Sequence, residues 1–193
     1  MIVFLDRQHA GKPDKISDRG ASIEPAPEFG LGMEAIYTGY LSMMIEEKLL
    51  QMGAKVLSLS DGPYSDRHKR VNEYAKNFPA EKMAYLALHL NCGGGDYGSY
   101  FYFPGSEEGV RLAEIICHKM RERDLPKIVR HLPKASSPDD WTKNAYYTIR
   151  GVSKPVGICC EPLFMDTHRE YLTLEKLREI ATGIALALVE WGL

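Results

Sequence analysis

Three side chains able to bind a metal or move a proton follow apolar runs in this sequence. They are His9, His89 and Glu161, and the runs before them are 2–5, 83–88 and 156–160. Such runs predict buried strands. The carboxyl ends of parallel strands meet at one edge of a sheet, where ligands bind, so the three side chains are expected to lie close together.

A fourth residue, Glu34, begins a predicted helix and can reach the same edge. Two imidazoles and one carboxylate are a common donor set for a catalytic zinc, which keeps its fourth position for water. His9, Glu34 and His89 are therefore the candidate ligands of Zn²⁺. Zinc lowers the pKa of its water and polarises a substrate carbonyl.

Glu161 is the candidate general acid and base. It would take a proton from the attacking water and pass it to the leaving amine. The apolar segment 162–164 follows it and is expected to keep it dry enough to raise its pKa.

Each of these residues also has a structural explanation. A histidine after a strand often serves packing, a glutamate at a helix start compensates the helix dipole, and Glu161 could be a surface acid. The spacing of the residues alone leaves the catalytic and the structural interpretations open.

Strands and helices alternate along the chain. Strands are predicted at 2–6, 54–60, 82–90, 98–103, 146–150 and 156–160, and helices at 34–52, 66–77, 107–123 and 173–191. Residues 10–32 are predicted as a loop whose length indicates a function. Residues 124–143 are predicted as mostly loop with one short strand. The order predicts one α/β domain over residues 1–193, hydrolase- or phosphorylase-like, with a mixed, mostly parallel twisted sheet and helices on both faces.

Composition excludes several classes of protein. The 193 residues carry a net charge of −2, which argues against strong electrostatic binding of nucleic acid. No stretch approaches the roughly 20 apolar residues of a membrane span, and the first residues lack the pattern of a signal peptide. The four cysteines form no CxxC pair, so no thiolate zinc site is expected, and we expect all four to be reduced.

The order of the motifs resembles that of the zinc-dependent N-acetylmuramoyl-L-alanine amidases of the amidase_3 family, and the resemblance covers nearly the whole chain. Segment 6–11, DRQHAG, is similar to the family's D-P-G-H-G-G, and 87–91, ALHLN, is similar to S-I-H-x-N. Segment 155–164 is similar to the closing P-A-V-L-V-E-x-x-F, and 180–184 to I-A-x-G-I. The departures are Arg7 and Gln8, which replace Pro-Gly, and Ala10, which replaces a glycine.

The resemblance implies an activity and a role for each residue. His9, Glu34 and His89 would bind Zn²⁺, and Glu161 would be the catalytic acid and base. The substrate would be peptidoglycan, cleaved at the amide between N-acetylmuramic acid and L-alanine. A compact catalytic domain of this kind is typical of phage endolysins, so we expect a monomer made in the cytoplasm that acts at the cell wall.

Two other functions remain open from the sequence. The same metal chemistry would suit a zinc peptidase or carboxypeptidase acting on small peptides. A cell-wall binding domain could also have kept the fold without catalysis, although the presence of Glu161 argues against it.

Several further residues have more than one interpretation. Glu24 and Glu28 compete with Glu34 as the carboxylate ligand. Arg70 would orient substrate or be a solvated charge, and Asn91 would bond near the metal or end a strand. The substrate groove would be lined by His131, Trp141, Tyr146 and Tyr147. Trp141 could instead anchor the loop in which it lies. The aromatic cluster of Tyr100, Tyr102 and Phe103 is expected to serve core packing more than sugar stacking. The histidines expected at the surface are His68, His118 and His168.

Overall fold

The computed structural model describes residues 1–9, 20–125 and 130–193. Its strands are β1 (Ile2–Arg7), β2 (Lys55–Leu59), β3 (Met83–Leu88), β4 (Tyr97–Tyr102), β5 (Arg130–Ala135) and β6 (Val156–Glu161). They form a six-stranded sheet in the order β2-β1-β3-β6-β4-β5. The strands β2, β1, β3 and β6 are parallel, while β4 runs antiparallel to β6 and parallel to β5. The predicted mixed, mostly parallel sheet is confirmed.

Helices cover both faces of this sheet, as predicted. They are α1 (Glu34–Gln51), α2 (Tyr64–Lys76), α3 (Glu107–Glu122), α4 (Lys143–Ile149) and α5 (Leu174–Gly192). The helices α1, α3 and α5 pack on one face and enclose the larger apolar cluster. The helices α2 and α4 cover the other face with a smaller cluster. Strand β3 is buried along its whole length, because it lies in the middle of the sheet between these two layers.

Local sequence explains where two of the long helices begin. Ser106 precedes α3, and its hydroxyl accepts a hydrogen bond from the Gly109 amide. Thr173 precedes α5 and accepts one from the Lys176 amide in the same way. These side chains satisfy amide groups that the first turn of a helix leaves without partners.

The strand predicted at 146–150 is wrong, because this segment belongs to helix α4. Its aromatic and β-branched residues favour a strand in isolation. The buried side chains of the helix, however, are Ala145, Thr148 and Ile149, a spacing that fits a helical period. Packing of that short apolar face against the sheet therefore outweighed the residue preferences.

The other predicted elements agree with the structure to within about two residues at their ends. The predicted loop 10–32 lies in part outside the described residues; its remainder is irregular, with a bridge between Ser22 and Met33. All four cysteines are free, and Cys92 is the exposed one. None of the helices in the described part of the chain is long and apolar enough to cross a bilayer.

Replacing Leu86 by alanine tests the central position of β3. The side chain is 0% exposed, so we expect the free energy of unfolding to fall by about 2–5 kcal/mol from lost burial and the cavity left behind. Chemical denaturation measures the change. Leu50→Ala is the control, because Leu50 is 55% exposed and its removal should change stability by less than about 0.5 kcal/mol. Equal losses in the two variants would contradict the assigned layers.

Candidate metal centre

Three predicted site residues converge in the structure. One ligand atom from each of His9, Glu34 and His89 lies within 4.8 Å of the others. The Oε1 atom of Glu34 is 2.9 Å from Nδ1 of His89 and 3.5 Å from Nε2 of His9. The two imidazole rings stand edge to face with centroids 5.0 Å apart. Two nitrogens and a carboxylate in this arrangement fit a divalent ion that prefers nitrogen and oxygen donors.

Adjacent parallel strands bring the two histidines together. Arg7 is paired with Leu88 in the register of β1 and β3, so the chain leaves both strands at the same level. His89 follows Leu88 directly, and His9 lies two residues beyond Arg7. His9 has a φ of 61°, a left-handed conformation that few residues other than glycine adopt.

Glu34 is held in place by backbone amides from two separate segments. Its Oε1 accepts a hydrogen bond of 3.1 Å from the Leu90 amide, and its Oε2 accepts one of 3.1 Å from the Ala21 amide. The backbone of Gly20 lies so close that a Cβ atom there would collide with the Glu34 side chain. The carboxylate is therefore oriented before any metal binds.

Charge in this cluster is balanced internally. Burial works to raise the pKa of Glu34, but its hydrogen bond with His89 and the nearby imidazoles hold that pKa below the usual value. Burial works to lower the pKa of His89, but the carboxylate of Glu34 holds it above the usual value. Each group therefore shifts the other towards its charged form. A bound cation would replace the proton of His89 as the positive partner.

Glu161 stands beside this cluster at the end of β6. Its Oε2 accepts a hydrogen bond of 2.8 Å from Nδ2 of Asn91. Burial and the negative charge of Glu34 raise the pKa of Glu161 above its usual value, despite the opposing effects of His89 and Asn91. The buried residues that follow it, Pro162 and Leu163, provide the dry surroundings expected from the sequence.

A buried ionic cluster lies beneath the first histidine. Arg67 donates hydrogen bonds to the carboxylate of Asp6 and to the carbonyl oxygen of Arg7, and Tyr85 donates its hydroxyl to the same carboxylate. Breaking such a buried pair by removing one partner is strongly destabilising. The sequence analysis missed Arg67 and singled out Arg70, which instead forms an exposed ion pair with Asp61. The available signal was Asp6 itself, since a carboxylate that stays ionised inside a buried strand needs a compensating cation.

Arg7, which departs from the family pattern, has a defined role in the structure. Its Nη2 donates a 2.7 Å hydrogen bond to the carbonyl oxygen of Ala35 in the first turn of α1. The guanidinium rests on Gly39, where a Cβ atom would lie 2.5 Å from Nη2. Arg7 thus ties the end of β1, which leads to His9, to the helix that begins with Glu34.

The competing carboxylates lie elsewhere. Glu24 forms an ion pair with Arg169, and Glu28 accepts a hydrogen bond from the Leu174 amide at the start of α5. Both are thereby committed to other contacts, whereas Glu34 joins the two histidines. Of these three carboxylates, Glu34 is the one whose oxygen lies near both His9 and His89.

Of the three histidines expected at the surface, one is exposed and two are buried. His68 and His168 are buried, so the expectation was wrong for them; His68 Nε2 contacts the carbonyl oxygen of Thr148 and His168 Nδ1 accepts from the Phe164 amide. His118 is exposed and lies 3.0 Å from Glu122. The sequence did not indicate the burial of His68 and His168, because the backbone groups that bond their ring nitrogens lie in distant or irregular segments.

Among the predicted groove residues, Trp141 is 59% exposed and carries Lys134 over its ring. The rings of Trp141 and Phe101 stand edge to face. Tyr100 is buried and pairs with buried His131, which confirms core packing for that member of the aromatic cluster. Phe103 is exposed at the strand end and stacks on Tyr146.

A cavity of about 420 Å³ opens over Glu161 and over His9, Glu34 and His89, which are called the metal-ligand cluster after their candidate role. Besides these residues, α4 contributes Asn144 and Tyr147 to its wall, and Tyr64 lies at the start of α2. The volume is within the usual range for a ligand site. The contribution of Asn144 to the wall was missed because residues 124–143 were predicted as loop and 146–150 as strand, which left no element for it.

Solved structures show which fold this is. The amidase AmiC2 of Nostoc punctiforme superposes with a TM-score of 0.71 and 18% identity, over 99% of this chain and 96% of the amidase. The chain has the fold of the N-acetylmuramoyl-L-alanine amidases. The CwlD amidase from Clostridioides difficile, solved in complex with the GerS lipoprotein, gives a TM-score of 0.69 at 15% identity, over 98% and 97% of the two chains.

The catalytic domain of the CD27L endolysin, which targets Clostridia difficile, has the same fold. It superposes with a TM-score of 0.60 and 19% identity, over 96% of both chains. In sequence, no family model matches this chain, and no curated protein does. The likeness therefore lies in the three-dimensional arrangement, at identities where few individual residues are shared.

Gly32→Ala tests how the loop before α1 positions Glu34. A Cβ atom at Gly32 would collide with the backbone carbonyl of Ile23, so the loop must shift. We expect affinity for Zn²⁺, the ion expected from the sequence, to fall about tenfold or more. Isothermal titration calorimetry measures it. Gly30→Ala is the matched control, because a Cβ there meets nothing within 4 Å. Unchanged affinity in a folded Gly32→Ala protein would show that the loop does not position the ligand.

Proposed function

We propose that this protein is a zinc-dependent N-acetylmuramoyl-L-alanine amidase that cleaves peptidoglycan. The observation that carries the proposal is the convergence of His9, Glu34 and His89 next to the partly buried Glu161, within an amidase fold. We propose the first three as ligands of Zn²⁺ and Glu161 as the catalytic acid and base. Residues 1–193 would form one catalytic domain that works as a monomer at the cell wall.

Zn²⁺ bound there would polarise the scissile carbonyl and make a water molecule more acidic. The residues of the chain supply the proton transfers. Glu161, as a carboxylate, accepts a proton from the attacking water and then delivers it to the nitrogen of L-alanine as the carbon–nitrogen bond breaks. Asn91 holds one oxygen of Glu161 by a hydrogen bond, and the other oxygen would make the proton transfers. The products are the free lactyl carboxylate and a new amino terminus.

The pKa of Glu161 suits both halves of this transfer. An ordinary glutamate is a weak base and is a poor donor near neutral pH because it is almost fully ionised. Burial and the charge of Glu34 raise the pKa of Glu161 and bring it nearer the operating pH, where one group can accept and return a proton efficiently.

Release of new amino-terminal L-alanine from purified peptidoglycan tests the proposal. We expect release by the protein, loss of release with a zinc chelator, and recovery on adding Zn²⁺. Cleavage of small peptides without any release from peptidoglycan would instead support a peptidase. Binding to peptidoglycan with no cleavage of either substrate would support a non-catalytic wall-binding domain. Either result would reject the amidase.

Replacing Glu161 by glutamine tests its catalytic role. We expect kcat to fall by about 10²–10⁴-fold with Zn²⁺ affinity retained, because the proton acceptor is lost while the three ligands remain. Glu114→Gln, an exposed change on α3, is the matched control and should keep full activity. In the wild type, kcat should decline as the pH falls through the raised pKa of Glu161, because protonation removes the base. A Glu161→Gln protein with normal kcat would exclude this role.

A further inference from the structure

A second cavity adjoins the one over the metal-ligand cluster. It has a volume of about 750 Å³ and lies between α2 and the end of α4. Tyr64 and Tyr147 line both cavities, so they form the boundary between the two. A ligand that leaves the first cavity past these two rings would enter the second. We name the second cavity the basic groove, after its cations Lys69, Lys76 and Arg150.

The cations that line the basic groove outnumber its acid. None of Lys69, Lys76 and Arg150 forms an ion pair with a residue in the described part of the chain, and the acid in the lining is Glu73. Lys69 and Lys76 are seven residues apart on α2, which places them on the same side of the helix. Arg150 is steadied by its position over the ring of Tyr147, 4.3 Å from the centroid. In a chain of net charge −2, this is a local concentration of positive charge beside the candidate active site.

The floor of the basic groove is firmly built. His68 contacts the carbonyl oxygen of Thr148 through Nε2, and Gly151 packs directly on its ring. Asn72 donates to the carbonyl oxygen of Gly151 and accepts from the amide of Ser153. These bonds fix α2 to the chain after α4, so the groove has a defined shape before a ligand arrives.

The position of Glu161 indicates which part of the substrate points towards the groove. Side chains alternate along a strand, so Glu161 lies on the same face of β6 as Cys159, and Cys159 packs in the cluster under α2 and α4. The metal-ligand carboxylate of Glu34 comes from α1 on the opposite face. If Glu161 gives its proton to the leaving nitrogen, that nitrogen lies towards α4. The stem peptide begins at this nitrogen.

We propose that the basic groove binds the carboxylates of the stem peptide, so that the peptide runs over α4 and α2 while the glycan leaves in the other direction. This inference rests on the proposed amidase function. Charge supports the assignment, because N-acetylated sugars are uncharged and the lactyl carboxyl is used in the scissile amide. The stem peptide is the part of the substrate that carries free carboxylates.

Two muramyl dipeptides that differ in one group test this proposal. One carries a free carboxylate on its second residue, and the other carries the amide there. We expect the wild type to favour the acid by about fivefold in kcat/KM, the effect of a partly exposed charge pair, and to lose this preference at high salt. The double variant Lys69→Gln/Lys76→Gln should bring the ratio close to one. Arg111→Gln, which removes an exposed cation from α3 on the opposite face, should leave the ratio unchanged.

Direct binding separates failure of the groove from failure of the amidase. The free stem peptides, acid and amide, are titrated into the wild type and the double variant by calorimetry. Cleavage of both muramyl dipeptides at equal efficiency, or a preference that survives in the double variant, would overturn the groove and leave the amidase intact. If the wild type cleaves neither muramyl dipeptide and releases no amino-terminal L-alanine from peptidoglycan, the amidase fails. Tighter binding of the acid that is lost in the double variant would then still support the groove, and equal binding of acid and amide would reject it too.

Discussion

The carboxylate of Glu34 is the contact on which the candidate active site depends. It must stay ionised inside the protein, and burial alone opposes this. Amides from Ala21 and Leu90 and the imidazole of His89 compensate that cost. Because these partners come from the loop before α1 and the exit of β3, the carboxylate also joins segments that are distant in sequence. The geometry of the metal-ligand cluster and the docking of α1 are therefore determined together.

A second buried carboxylate, that of Asp6, helps to hold the backbone that leads to His9. Asp6 lies at the end of β1 without access to solvent, and Arg67 of α2 and the Tyr85 hydroxyl meet its carboxylate. Arg67 also bonds the carbonyl of Arg7, two residues before His9. Replacing such a pair with apolar residues is often neutral or stabilising for a fold, so stability alone gives little reason to keep it. Its contacts instead fix the backbone that leads to the first histidine.

Much of the fold was predictable from sequence, because buried strands and amphipathic helices carry strong periodic signals. The apolar runs of β1, β3 and β6 predicted both the sheet and the edge where His9, His89 and Glu161 meet. Helix α4 was not predictable in this way, since its seven residues are too few to establish a period against strand-favouring aromatics. Its apolar face becomes visible only once the sheet that it covers is known.

The site was predictable where a residue's position along one element decides its role, and not where partners come from far apart. His9, Glu34 and His89 each follow or begin an element, and the sequence assigned all three to one cluster. The pairing of Arg67 with Asp6, and the burial of His68, depend on how α2 settles on the sheet. A single sequence contains no record of that docking, so Arg70 was as plausible as Arg67 before the structure was known.

The two faces of the sheet contribute different parts of the proposed chemistry. From the α1 face comes Glu34, held rigidly and negatively charged, which suits attraction of a cation. From the α2 and α4 face come Glu161 and the basic groove, which suit proton delivery and an anionic substrate. The carboxylate proposed to bind the metal therefore comes from one face of the sheet. The cations proposed to bind substrate come from the other face, on α2 and directly after α4. In this proposal, substrate charge and metal charge would be recognised on opposite sides of the same strand edge.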